Sequence, residues 1–154
     1  MLKIQRLASA TVASVAAGRN LNAAFAELWP RHPALSARER AAISDLCYGT
    51  LRFGMRLEVV LERLLKKPLT DASLRWLLLV ALYQLSYTRA APHAIVDHAV
   101  RCARAGGRPQ AAGLVNAVLR NFLRSRESLL AQANASERGR FAFPPWWKIG
   151  RAHV

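Results

Sequence analysis

One segment of this chain, Leu74–Tyr87, limits the folds open to it, because almost all of its residues are apolar. Thr70 and Asp71 precede the segment, and both residue types are good N-terminal caps for a helix. A helix that is apolar on nearly all sides has to be surrounded by other elements. Its longest apolar run, Trp76–Leu82, is far shorter than a bilayer span requires. The sequence therefore predicts a helix at the centre of a bundle.

The rest of the chain shows helical spacing of its apolar residues and no alternating strand pattern. Asn20 is a predicted N-cap, and Ser36 and Glu39 have the spacing of a capping box. Besides the central helix, helices are predicted over about 2–17, 21–29, 36–52, 57–65, 92–105, 109–122 and 126–134. The second of these should end before Pro30, and we expect a bend near Phe53. The predicted fold is all-α, a bundle of about seven or eight helices.

The charge of the chain is strongly one-sided, since 23 basic residues stand against 9 acidic ones and give a net charge of +14. Arg accounts for 19 of the basic residues, and its planar guanidinium binds phosphate and stacks on bases. This balance excludes an acidic metal site and favours a polyanionic partner. The hydrophobic fraction of 53% excludes a disordered basic tail.

The basic residues are most concentrated between His98 and Glu127, where there are six Arg and no acidic residue. Asn116, Arg120 and Arg124 are spaced four apart, so they line one stripe of their helix. Binding to RNA or DNA phosphates would relieve the self-repulsion of such a patch, and a solvated face is the alternative. The residues predicted to contact nucleic acid are Lys3, Arg6, Arg101, Arg104, Arg108, Arg120 and Arg124.

Asn116 is expected to have a structural role instead of a base contact, because Val115 and Val118 place it partly inside the bundle. A buried amide has to be hydrogen-bonded. Asp97, on the preceding helix, is the predicted partner. The sequence thus predicts that Asp97 and Asn116 form a structural polar pair between two helices.

No catalytic constellation or metal site is predicted. His93 and His98 are five residues apart and lack an acidic partner at a metal-binding spacing. Cys47 and Cys102 stand among apolar neighbours, so we expect buried free thiols in a reducing compartment. The Ala-rich stretch over 7–17 is interrupted by polar residues and is predicted to be a helix instead of a signal peptide. We therefore expect a cytoplasmic protein.

Four blocks of this sequence, in this order, resemble a known family: LCYGTLR (46–52), LYQLSY (82–87), PHAIVDHAV (92–100) and GLVNAVLR (113–120). They resemble the NusB-type all-helical RNA-binding domain. More narrowly, they resemble its version at the N-terminus of the RsmB (Sun/Fmu) 16S ribosomal RNA cytosine-5 methyltransferases. The resemblance extends over about residues 4–147.

The resemblance implies that this domain binds small-subunit ribosomal RNA and helps to position it for a methyltransferase domain that follows. In such enzymes that following domain carries a cysteine pair and binds S-adenosylmethionine. Neither Cys47 nor Cys102 lies in a matching motif, so we expect no catalytic residue and no cofactor in this chain. The expected partners are ribosomal RNA and the protein's own C-terminal methyltransferase domain, with no membrane contact and a monomeric chain.

Two other functions stay open at this point. The first is a free-standing NusB-type antitermination factor, which would regulate transcription with a ribosomal-protein partner. Those factors tend to carry an aromatic residue where this chain has Leu114, and they end sooner. The second is a helical scaffold of the enzyme whose charge contacts no RNA.

The C-terminal stretch differs from the bundle in composition. Residues 1–136 are predicted to form the helical domain, and 137–148, with the sequence FPPWW inside, to begin the linker to the methyltransferase domain. Residues 149–154, IGRAHV, are what the codons ATC GGA AGA GCA CAC GTC would encode, and that nucleotide string reads like a common sequencing adapter. We expect these six residues to be non-native. Resequencing the locus tests this, and a natural stop codon directly after Val154 would contradict it.

Overall fold

The computed structural model describes residues 2–107 and 109–136, and these residues form eight helices with no strand among them. In chain order the helices are α1 (Leu2–Ala16), α2 (Leu21–Arg31), α3 (Ala37–Arg52), α4 (Gly54–Leu64), α5 (Ala72–Tyr87), α6 (Pro92–Ala105), α7 (Pro109–Arg124) and α8 (Arg126–Ala135). The predicted all-α bundle is confirmed. The linker and tail predicted for 137–154 lie outside the described residues.

Polar side chains begin three of these helices in the way the sequence predicts. The carboxamide of Asn20 and the carboxylate of Asp71 each accept a hydrogen bond, at 3.1 Å, from the backbone N–H three residues further on. Ser36 Oγ accepts from the N–H of Glu39 at 3.1 Å, and the Glu39 carboxylate accepts from the N–H of Ser36 at 2.9 Å. This second bond lowers the pKa of Glu39, because it stabilises the ionised form.

Two helix ends differ from the prediction. Pro30 lies inside the last turn of α2, which ends at Arg31 instead of before the proline. A proline there removes only one intrahelical hydrogen bond, and the N–H of His32 still closes the turn on the carbonyl of Trp29 at 3.1 Å. Helix α4 begins at Gly54 instead of near residue 57, directly after the predicted bend. Phe53 is both the C-cap residue of α3 and the N-cap residue of α4.

Helix α5 lies at the centre of the bundle. It packs against α1, α3, α4, α6 and α7. Five consecutive residues of α5, from Leu78 to Leu82, have no exposed surface at all, so the helix is covered on every side. Among the described residues, no helix combines the length and the apolar character needed to cross a membrane.

A buried pair of glutamines ties three helices together. Gln5 of α1 donates from Nε2 to Oε1 of Gln84 in α5 at 2.8 Å, and more weakly to the carbonyl of Ile95 in α6 at 3.4 Å. Both glutamine side chains are buried, where an unsatisfied amide would be costly. The pair therefore fixes the position of α6, which carries one wall of the candidate site.

Candidate nucleic-acid interface

A groove of about 370 Å³ lies between α6 and α7, within the basic stretch of the sequence. Both walls use one side of their helix, with residues three to four positions apart. We refer to this surface as the α6–α7 groove, and its residues are Val96, Asp97, Val100 and Arg104 on α6, and Ala112, Gly113, Asn116 and Arg120 on α7.

Arg104 and Arg120 are on facing walls of the α6–α7 groove, and both are exposed. Arg120 donates from Nε to Oδ1 of Asn116 at 2.9 Å, which orients its guanidinium with a neutral partner. Among the ion pairs of the described residues, neither arginine has a carboxylate partner. Two guanidinium groups that lie on facing walls of one groove without a carboxylate partner are an arrangement suited to binding phosphate oxygens.

The predicted polar pair of Asp97 and Asn116 is wrong in its contacts, although both residues line the α6–α7 groove. Asp97 pairs with Arg101, one turn further along α6, with 3.2 Å between Oδ2 and Nε. Asn116 is only half-buried and accepts from Arg120, one turn further along α7. In both cases the side-chain oxygen binds an arginine four residues away on the same helix. A hydrogen bond from a charged donor is stronger than one from a neutral amide.

Two more of the predicted arginines lie on the same pair of helices. Arg101 is exposed, and its charge is partly compensated by Asp97 in a solvent-exposed pair of small energetic value. Arg124 is exposed at the end of α7 and donates to the side-chain oxygen of Asn121. Arg124 therefore extends the uncompensated charge of the α7 stripe beyond the groove, whereas Arg101 adds less.

The remaining predicted contact residues do not share this surface. Arg6 lines a different pocket, between α1, α5 and α6. Lys3 lies near the start of α3, where its charge contributes to the lowered pKa of Glu39. Arg108 lies outside the described residues. The structure thus brings Arg104 and Arg120 together on one groove, whereas Lys3 and Arg6 are not among the residues that line it.

The sequence prediction missed the small residues of the groove. Gly113 lies three residues before Asn116 and seven before Arg120, so it belongs to the same stripe of α7. A Cβ added at Gly113 would meet no atom within 4 Å, so this glycine leaves open space next to the arginines. The helical spacing of the stripe contained this signal, but only the structure shows that α6 lies opposite.

A second pocket lies beside Arg6, between α1, α5 and α6. It has a volume of about 500 Å³, and its polar side chains are Arg6, Ser9, Ser73 and Cys102. No carboxylate that could bind ribose hydroxyls occurs among its described lining residues. The described chain also has no strand from which a glycine-rich phosphate-binding turn could lead into a helix.

The two thiols and His98 have the properties of packed groups. Burial raises the pKa of Cys47 to about 12 and that of Cys102 to about 11, so both remain protonated thiols near neutral pH. The prediction that both cysteines are buried and free is confirmed. Burial also lowers the pKa of His98. The described residues contain no group of three or more His, Cys, Asp or Glu side chains placed to hold a metal ion.

Comparison with known proteins identifies the domain. The model of the NusB family matches residues 3–124. Relatives include proteins named ribosomal RNA small subunit methyltransferase B from Escherichia coli O139:H28 (strain E24377A / ETEC), E. coli O9:H4 (strain HS) and Escherichia fergusonii, each 40% identical over 119 residues. The match covers 76% of this chain but 28% of each relative. With the family model matching most of its length, the chain belongs to the NusB family.

Proposed function

We propose that this NusB-family domain binds small-subunit ribosomal RNA through the α6–α7 groove and positions it for cytosine-5 methylation. The observation that carries the proposal is the pair Arg104 and Arg120, which face one groove without a carboxylate partner in the described chain. The net charge of +14 supports it, because a polyanion relieves the repulsion. The names of the relatives support ribosomal RNA as the polyanion.

We infer that this domain contributes RNA binding and that the chemistry is carried out elsewhere in the protein. The described residues offer phosphate-binding cations, and burial keeps the thiols of Cys47 and Cys102 protonated, which makes them poor nucleophiles. In a protein of the relatives' length, transfer of the methyl group from S-adenosylmethionine would fall to a catalytic domain outside this bundle. We also infer that the protein acts in the cytoplasm, because the RNA that we propose it binds is ribosomal RNA.

Removing both groove arginines tests the proposal. For the variant Arg104→Ala with Arg120→Ala, we expect weaker binding to a single-stranded ribosomal RNA fragment and a weaker salt dependence. Each phosphate contact contributes a slope of about −0.7 in log affinity against log salt, so losing two contacts should reduce the slope by roughly one to two units. Fluorescence anisotropy across a salt series measures both quantities.

A matched control removes the same charge elsewhere. Arg31 and Arg38 are exposed on α2 and α3. Neither α2 nor α3 packs against α7 as extensively as α6 does. The variant Arg31→Ala with Arg38→Ala should keep the slope of the wild-type chain. If the groove variant keeps it as well, the α6–α7 groove is a solvated face and the proposal is wrong.

A further inference from the structure

A cluster of three aromatic rings lies away from the α6–α7 groove, where the junction of α3 and α4 meets the end of α5. The ring of Tyr87 stacks on that of Phe53, with 4.3 Å between centroids and 18° between planes. Tyr83 contacts both rings, at 6.3 Å from Phe53 and 5.6 Å from Tyr87. We call these three residues the Tyr87 stack. Tyr83 is buried, whereas Tyr87 is 38% exposed, so the outer member of the stack reaches solvent.

Arginines surround the Tyr87 stack. The guanidinium of Arg52 lies over the Phe53 ring, 5.3 Å from its centroid. Arg126, at the start of α8, donates from Nη2 to the carbonyl of Ser86 at 3.1 Å and is thereby held beside Tyr87. Burial raises the pKa of Tyr87, and the positive charges of Arg56 and Arg126 act in the opposite direction. The ring is therefore an uncharged stacking surface at the centre of positive charge.

We propose that the Tyr87 stack binds an unpaired nucleobase of RNA, which stacks on the partly exposed ring of Tyr87. This inference rests on the proposed RNA-binding function and adds a second contact site to it. Aromatic rings next to arginines are the usual means of binding single strands, because every base has a flat face and every nucleotide a phosphate. Burial raises the pKa of Tyr83 and the charge of Asp45 adds to that shift, so one acidic side chain lies near the inner ring of the cluster. A cationic surface of this kind suits a nucleotide better than a basic or neutral protein segment.

The test uses the whole 154-residue chain and an oligouridylate of about 12 nucleotides. Tyr87→Ala should lower the affinity for this single strand roughly 5- to 150-fold, the range expected when one stacked base is lost. The salt slope should stay at the wild-type value, because no charge is removed. Tyr87→Phe keeps the ring and should bind like the wild-type chain. A 2-aminopurine base in the oligonucleotide should be quenched by the wild-type chain and less so by Tyr87→Ala.

Two further variants separate stacking from folding. Tyr87→Leu keeps apolar bulk without the flat ring. This variant should therefore fold, but its affinity for the single strand should be reduced as in Tyr87→Ala. Tyr48 is 55% exposed in a separate aromatic contact with Phe25, and Tyr48→Ala should bind like the wild-type chain. Circular dichroism melting shows which variants are folded.

The outcomes distinguish this inference from the function on which it rests. If the wild-type chain binds RNA in a salt-dependent way and the folded Tyr87→Ala and Tyr87→Leu variants bind equally well, the Tyr87 stack is only a packing element and the inference fails alone. It also fails if Tyr87→Ala weakens binding to a paired duplex as much as to the single strand. If the wild-type chain shows no salt-dependent RNA binding, the proposed function and the inference both fail.

Discussion

Replacing Leu82 by aspartate is expected to reduce the free energy of unfolding by about 3–5 kcal/mol. Leu82 has no exposed surface and lies in the part of α5 that neighbouring helices cover on all sides. The new carboxylate would be buried without a partner, and the packing of the leucine would be lost as well. Because small domains are stable by about 5–15 kcal/mol in total, this loss removes a large share of the stability and should lower the urea concentration at the unfolding midpoint markedly. Urea unfolding followed by circular dichroism measures the change.

The same substitution at an exposed leucine is the control. Leu114 of α7 is 37% exposed, and Leu114→Asp should change the free energy of unfolding by about 0.5 kcal/mol or less. Leu82→Met, which keeps the volume, should cost less than about 1.5 kcal/mol. If Leu82→Asp unfolds at the same urea concentration as the wild-type chain, the centre of the bundle has been misplaced.

Replacing Gly49 by alanine is expected to destabilise the chain, although alanine is the better helix former. A Cβ at Gly49 would lie 2.0 Å from Cζ of Tyr83, far inside van der Waals contact. The Tyr83 ring is buried and packed against Phe53, so it cannot move away without disturbing the Tyr87 stack. Overpacking of this kind costs about 1–3 kcal/mol, which outweighs the gain of about 1 kcal/mol from helix propensity.

Gly113→Ala is expected to stabilise the chain, in contrast to Gly49→Ala. Gly113 also lies within a helix, but a Cβ there meets no atom within 4 Å, so only the propensity gain of up to about 1 kcal/mol remains. Thermal melting of the two variants beside the wild-type chain compares them directly. Equal melting temperatures for Gly49→Ala and Gly113→Ala would show that the ring of Tyr83 does not pack on Gly49.

The features that the sequence predicts correctly depend on interactions within a few residues. The caps at Asn20, Ser36 and Asp71 are local hydrogen bonds, so residue type and spacing were enough to place them. The central position of α5 can also be predicted from its own sequence, because a helix of this length that is apolar on all sides is stable when other helices surround it. The end of α2 was missed because the cost of Pro30 depends on its place in the turn, which propensity alone does not determine.

The site was predicted less completely, for two physical reasons. The sequence predicts a contact between Asp97 and Asn116 across two helices. In the structure, each of them binds an arginine one turn away on its own helix. The i,i+4 spacing of both contacts was visible in the sequence, but the choice between local and distant partners depends on side-chain orientation. The Tyr87 stack joins Phe53 to Tyr87 across 34 positions of the chain, and only the packing of α3, α4 and α5 brings these rings together.

The most direct measurement of the central claim is a crosslinking map. Single-stranded ribosomal RNA carrying 4-thiouridine is bound to the wild-type chain, irradiated, and the attached peptides are identified by mass spectrometry. RNA binding in the α6–α7 groove predicts crosslinks within 96–104 and 112–120, which hold Arg104 and Arg120, and their loss at high salt. Crosslinks confined to α2 and the start of α3, with none in those two segments, would contradict it.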